Sequence, residues 1–414
     1  MDDSGTASLP QVTLTYGYDD AGNRASLDDS LGGLTSYSYD VRDELTSLTQ
    51  SGSGVTAKRV DFAYDAAGRM TTLTRFSDLA GSTQVIVSKF AYDAANRLTT
   101  LTHQTSGGTV RSQYGYTLDA ANRLTGESRA WTTGGGSASD TLSYSYTNDD
   151  QLTGVTHTNG SFTNESYSYD TNGNRTMTGY ATATGNRMSS DGVYNYTYDD
   201  DGNRTVKTSI ATGDQTLYTY DYRNRLVEVD NHPSGGATTV LATYVYDALD
   251  RRIKVVEGGT TTATLYDGAS AILDFNGSGT QKARYLQGPA IDMVLAREVS
   301  GTVAWYLTDR LGTVRDIADN TGAIIDHVDY DSYGKILAES SPANGDRWKF
   351  TGREWDAVTE LQYNRARYYD PAVGRAGGTG SGFGTRVRGL HRGQSCASAP
   401  INSLGLPSRV RMRT

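Results

Sequence analysis

The hydrophobic positions of this chain come as short alternating stretches, each closed by Asp and then by Gly or Asn. The first is Tyr16-Gly17-Tyr18, followed by Asp19-Asp20-Ala21-Gly22-Asn23-Arg24 and a new stretch. On a strand, side chains alternate between faces, so two rings two residues apart share one face. An Asp opening a turn accepts hydrogen bonds from the backbone two residues on. The Gly or Asn that follows tolerates positive φ. Arg-Leu-Thr or Arg-Thr-Val then restarts an alternating strand, so the unit reads as a β-hairpin.

The unit recurs. It returns at Tyr37 to Asp40, at Phe62 to Met70, at Phe90 to Leu98, at Tyr114 to Leu124, and at Tyr144 to Tyr146 with Thr147 in place of Asp. Tyr167 to Arg175 and Tyr196 to Arg204 are the clearest copies, and Tyr218 to Leu226 and Tyr244 to Ile253 follow. Successive Asp positions lie roughly 20–30 residues apart, the period of a stacked array. One hairpin alone is marginal in water. Edge-to-edge stacking hides each open hydrogen-bond row and builds a continuous aromatic layer. The Arg after the turn is expected to lie along the Tyr faces and pair with the Asp. Tyr18, Asp19, Gly22 and Arg24, with Tyr169, Asp170, Gly173 and Arg175 and with Tyr198, Asp199, Gly202 and Arg204, therefore read as scaffold residues. The fold class is all-β: about ten stacked hairpins in a curved, spiralling sheet.

Composition supports this. Only 36% of the 414 residues are hydrophobic, a level that by itself is compatible with disorder, but 29 Tyr and many Thr and Val suit a pleated, half-buried surface. The net charge of −9 disfavours nucleic acid as the main partner. Cys396 is the single cysteine, so no intrachain disulfide staples the fold. No stretch approaches the ~18 apolar residues of a membrane-spanning helix, and Met1-Asp2-Asp3-Ser4-Gly5 is no signal peptide.

Enzymatic signatures are sparse. His103, His157, His232, His327 and His391 are scattered without zinc spacing, and neither a nucleophile elbow nor a phosphate loop occurs. Asp170-x-Asn172-Gly173-Asn174 and Asp199-x-Asp201-Gly202-Asn203 faintly resemble calcium loops, but turn chemistry accounts for them. The sequence calls for no metal and no cofactor. Exposed Tyr faces beside Asp and Asn would suit glycan stacking, so the orientation of the rings separates a scaffold from an adhesive surface.

The repeat resembles the YD repeat of the Rhs, insecticidal toxin complex and teneurin proteins. The C-terminal third adds ordered motifs: Asp309-Arg310-Leu311-Gly312-Thr313-Val314-Arg315, then Tyr330-Asp331-Ser332-Tyr333-Gly334, then Phe350-Thr351-Gly352-Arg353-Glu354. Arg365, Arg367, Tyr368, Tyr369, Asp370 and Pro371 complete a stretch similar to the Rhs-associated core. The resemblance implies a non-catalytic, hollow β-shell around a C-terminal toxic segment, or a cell-surface adhesive role. Further YD repeats, a toxin segment or glycans are the implied partners, and a secreted or cell-surface location is implied. It divides the chain into a loose start at 1–10, repeats at 11–260, the core at 261–375 and a tail at 376–414. Many members carry an aspartic-type self-cleaving core that uses a second Asp-Pro-x-Gly motif. Here that motif is missing: the last forty residues hold seven Arg and no Asp or Glu. The break falls inside a motif, which reads as a frameshift more than as a variable tip. The chain is therefore expected not to cut itself, and to be a portion of a longer shell.

Overall fold

The structure is a computed structural model that describes residues 10–365 and 367–376. The expectations for the loose start and the basic tail fall outside these residues, except at Pro10 and at Ala376, which pairs with Tyr369 in a closing strand. A thirteen-stranded antiparallel sheet runs from Leu14–Tyr18 to Glu165–Ser166. A sixteen-stranded sheet runs from Tyr180–Ala183 to Ile336–Glu339, and a four-stranded sheet from Glu354–Asp356 to Arg375–Ala376. In each, strands pair in chain order.

Strands outnumber those of ten hairpins because the repeats turn at both rims. At one rim the Asp-led turns are uniform. Asp65 N–H donates to the Arg69 carbonyl at 2.9 Å and Gly68 N–H to the Asp65 carbonyl at 3.0 Å. The residue three after the Asp position has positive φ in all ten copies, from Gly22 (φ 88) to Asp250 (φ 62). This is a three-residue loop whose last residue is left-handed, the bulged turn that matches strand twist. The Asp65 carboxylate accepts from Ala67 N–H and Arg69 N–H, and backbone and Arg69 hydrogen bonds hold it below its ordinary pKa. At the other rim the turns share a closing glycine but no leading residue: Gly32 N–H bonds to Asp29, Gly108 N–H to Thr105 and Gly236 N–H to Pro233.

The second tyrosine of the unit ties neighbouring hairpins. Its hydroxyl donates to a carbonyl of the preceding copy: Tyr64 to Leu45 at 3.0 Å, Tyr92 to Met70 at 2.9 Å, Tyr146 to Leu124 at 2.6 Å, Tyr169 to Leu152 at 2.8 Å, Tyr246 to Leu226 at 2.7 Å. Rings so placed are packed between hairpins, the arrangement of a scaffold.

The chain coils back on itself. The later strands of the large second sheet lie over the first sheet, and the space between is filled. Leu48, Val60, Phe62 and Leu73 share one apolar cluster with Leu286, Leu295, Trp305 and Leu307. Polar groups bridge the same layers: Lys58 meets Glu298 at 2.6 Å, and Trp131 stacks on His327 at 4.9 Å. Burying apolar area on both faces stabilises hairpins that would not hold alone. Hydrogen bonding continues without interruption through Thr260–Asp267, which pairs with Arg252–Glu257 and Ser270–Asn276. The small third sheet covers a further cluster: Leu361, Tyr363 and Tyr368 pack on Tyr218, Leu226, Val229 and Tyr244.

Candidate functional site

The repeat arginines fall into two kinds. In copies reading Asn-Arg-Leu or Gly-Arg-Met, the Arg lies four residues after the Asp and pairs with it: Arg97 Nε to Asp93 at 2.7 Å, Arg123 Nε to Asp119 at 2.6 Å. It also covers a tyrosine of the next copy, as Arg69 does over Tyr92 at 4.8 Å. In copies reading Gly-Asn-Arg, the Asn takes that place. Asn174 and Asn203 each donate an amide N–H to Asp170 and Asp199 at 2.9 Å, so these carboxylates are spent on their own turns. The Arg is displaced by one residue, and one residue on a strand is the opposite face. The expected pairing of Arg24, Arg175 and Arg204 with their own Asp is therefore corrected: their side chains turn inward.

That inward position is buried apolar in most copies, as Leu45, Met70, Leu98, Leu124, Leu152 and Leu226 show. Where it is Arg, a distant partner receives it. Arg24 pairs with Asp267. Arg175 is sandwiched by the rings of Tyr167 at 4.8 Å and Tyr333 at 4.1 Å. Arg204 meets Asp370 at 2.8 Å, both buried. Arg252, beside its outward neighbour Arg251, reaches Glu354 at 2.8 Å and Asp356 at 2.6 Å. It also lies over the Tyr363 ring at 4.4 Å and donates to the Tyr368 hydroxyl at 3.0 Å.

The core motif is thus the receiving half of a buried ionic lock. Burial works to raise the Glu354 carboxyl, but Arg347 and Arg252 overcome it and hold it below its ordinary value. Asp356 goes the other way, because its burial outweighs the pull of Arg252. Asp370 also closes its own turn, accepting from Ala372 N–H at 3.1 Å beside the buried Pro371. Asp292 is shared by Arg353 at 2.8 Å and Arg365 at 2.5 Å. Asp326, pushed up to about 6 by burial and by the neighbouring Glu339, accepts from Ser341 N–H at 2.8 Å and from the Ser340 hydroxyl at 3.3 Å.

The remaining sequence-predicted residues are placed as follows. Asp309 pairs with Arg315 at 3.1 Å and closes the turn at Gly312. Tyr333 donates to or accepts from the Tyr169 hydroxyl at 2.8 Å, and the Tyr369 hydroxyl donates to the Tyr333 carbonyl at 2.7 Å. Arg367 lines a cavity described below. Tyr18, by contrast, is 63% exposed and belongs to the outermost strand of its sheet. Gly334 and Gly352 are steric necessities. A Cβ on Gly334 would sit 2.3 Å from the Phe350 ring, and one on Gly352 would sit 2.3 Å from the Asp292 carbonyl oxygen, with φ +68. The second clash is with backbone and a left-handed conformation is added to it, so Gly352→Ala is expected to destabilise by about 2 kcal/mol, read by urea unfolding. A loss below about 0.5 kcal/mol, the range of neutral surface changes, would contradict that account. Arg252 and Asp356 were not singled out from sequence, and Glu354 entered only as the last residue of a core motif. Their signal was an Arg standing where other copies have Leu.

The teneurin YD-shell profile matches residues 117–376, more than half of the chain. The chain belongs to the teneurin YD-shell family. Among curated relatives, this YD-shell chain is similar to the tRNA3(Ser)-specific nuclease WapA of Bacillus spizizenii, 29% identical over 87% of this chain and 13% of the relative. Two solved structures share its fold. The TcdB2-TccC3 structure has a TM-score of 0.59 at 15% identity, covering 93% of this chain and 22% of that one. The Photorhabdus luminescens Tc holotoxin pore has a TM-score of 0.59 at 16% identity, covering 94% and 21%. The YD-shell chain thus spans a small part of the proteins it matches. Among its described residues no helix is long and apolar enough to cross a membrane.

Proposed function

We propose that this chain is a non-catalytic section of an Rhs-type YD shell that anchors the polypeptide following its core, in a protein that is secreted or displayed at a cell surface. The observation carrying this reading is the buried lock of Arg204 and Arg252 on Asp370, Glu354 and Asp356. It fixes the core against the repeats just before Arg375, whose guanidinium donates to the Asn186 carbonyl at 3.0 Å. A carboxylate held by a buried guanidinium is a poor proton carrier, since general acid–base work needs a group poised to exchange its proton near neutral pH. Asp370, Glu354 and Asp356 are occupied in this way, which supports anchoring over self-cleavage through these three acids.

The relative named as a tRNA nuclease is matched over 13% of its length. We take this chain's counterpart there to be shell, and the anchored segment to be of toxin type. Enclosure of such a segment takes further repeats. The strand Leu14–Tyr18 ends the first sheet with its outer edge open for them among the described residues, and strand edges pair readily. The test joins a folded reporter after Thr414 through a specific protease site. The purified fusion should stay intact on its own, by intact mass, and release the reporter only on protease addition. Spontaneous release that disappears in Asp370→Asn would sink the non-catalytic reading.

A further inference from the structure

The buried cations of this shell are matched with care. Lys58, Arg204, Arg252 and Arg315 each meet a carboxylate. Arg75 does not. Its side chain is buried, 3% exposed, and among the described residues it has no ion pair. One terminal nitrogen donates to the Ser88 hydroxyl at 2.7 Å and the other to the Tyr306 carbonyl at 2.9 Å, while Nε has no partner. Burial pushes its pKa down to about 9, which leaves it charged at neutral pH.

The hydrogen-bonded network beside Arg75 contains no carboxylate, and Asp316 and Asp309 act on His103 only through space. The Thr308 carbonyl can only accept, so His103 carries its proton on Nε2, 3.0 Å away. Nδ1 then accepts from the Ser88 hydroxyl at 2.7 Å, and Ser88 accepts in turn from Arg75. Burial, with the charge of Arg75, holds His103 down at about 4, so the imidazole is neutral. The run of donors from Arg75 to Thr308 is complete and uncharged except at its start.

Arg75, Ser88 and His103 line a cavity of about 550 Å3 between the two layers and the core. Its walls are largely apolar: Met70, Leu73 and Phe90 from one layer, Met293 and Leu295 from the other, Phe350 from the core. The two acids on its lining are already neutralised, Asp292 by Arg353 and Arg365, and Asp309 by Arg315. The volume lies within the roughly 300–1,000 Å3 of small-ligand sites, and such sites combine apolar walls with a few placed polar groups.

We infer that this cavity binds a small aliphatic monocarboxylate, its carboxylate on Arg75 and its chain against Met70, Leu73, Met293 and Leu295. A buried guanidinium without a counter-ion favours a ligand that brings one, and carboxylate matches the guanidinium fork. An acidic side chain of a polypeptide offers the same chemistry from a second source. The test is calorimetric titration of the whole purified protein with decanoate, with decanol, and with an acetylated Leu-Leu-Glu amide. Decanoate is expected to bind at least about tenfold more tightly than decanol, a difference of about 1.4 kcal/mol. Arg75→Met should lose that preference and keep the decanol affinity. Equal binding of acid and alcohol to the native protein overturns the proposal, and this comparison decides even if the variant does not fold. Binding of the peptide with no binding of decanoate overturns the free-acid assignment and gives the site to a polypeptide.

Discussion

Arg252→Ala will destabilise this protein by about 3–5 kcal/mol, whereas Arg251→Ala, one residue earlier, will change stability by less than about 1 kcal/mol. The two side chains have the same chemistry and opposite faces. Arg251 pairs with Asp247 within its own turn, partly in solvent. Arg252 is buried between Glu354 and Asp356, and removing it strands the buried Asp356 and leaves Glu354 to Arg347 alone. Solvent screens the first pair and cannot reach the second. Urea unfolding of both variants measures the contrast. The triple change Arg252→Met, Glu354→Gln, Asp356→Asn should recover most of the loss, since the damage lies in uncompensated charge more than in the missing contact. Equal effects of Arg251→Ala and Arg252→Ala would refute the two-faced reading of the repeat.

Stability will also fall steeply with rising pH above neutrality, and His327 will account for much of it. Burial alone would lower its pKa, but Asp316, 2.6 Å from Nδ1, and Asp329, 3.3 Å from Nε2, lift it to about 9. Trp131 stacks on the ring, and Arg315 and Arg129 stand near Asp329. The folded state therefore holds a proton that the unfolded chain releases near its ordinary 6.5. Its contribution is complete below pH 6.5 and is lost as pH rises through about 9, in total about 3 kcal/mol. His157, raised by Glu165 and Asp140 against its burial, adds to the slope in the same sense. Unfolding free energies measured from pH 6 to 10 should show the decline in the native protein and a flatter profile in His327→Gln. An unchanged slope in the variant would remove His327 from the account.

Much of this architecture was legible in local residues. The Asp and the left-handed residue three places on act within one hairpin, so a nine-residue reading captured the turn and the all-β class. The doubling of strands was not legible, because the opposite rim turns at sites as unlike as Asp29 to Gly32 and Pro233 to Gly236, which share a closing glycine but no leading residue. The layering of the coil was hidden for another reason: Lys58 and Glu298 are 240 residues apart, and no local pattern names that partner. The core motifs pointed to the right segment, yet which arginine enters it depends on a one-residue offset between Asn-Arg-Leu and Gly-Asn-Arg. That offset is invisible if both are read as the same Arg after a turn.

The one-residue offset also bears on how such a gene changes. Ten near-copies in one reading frame invite unequal crossing-over, and most exchanges would preserve the turn, the tyrosine tie and the strand register. An exchange that put a leucine-type copy where Arg204 or Arg252 stands would still yield a seamless sheet, but with Asp370, or Glu354 and Asp356, buried opposite a hydrocarbon. Copies that look interchangeable therefore carry an address, written as leucine or arginine at one inward position, and that address fixes their order along the chain.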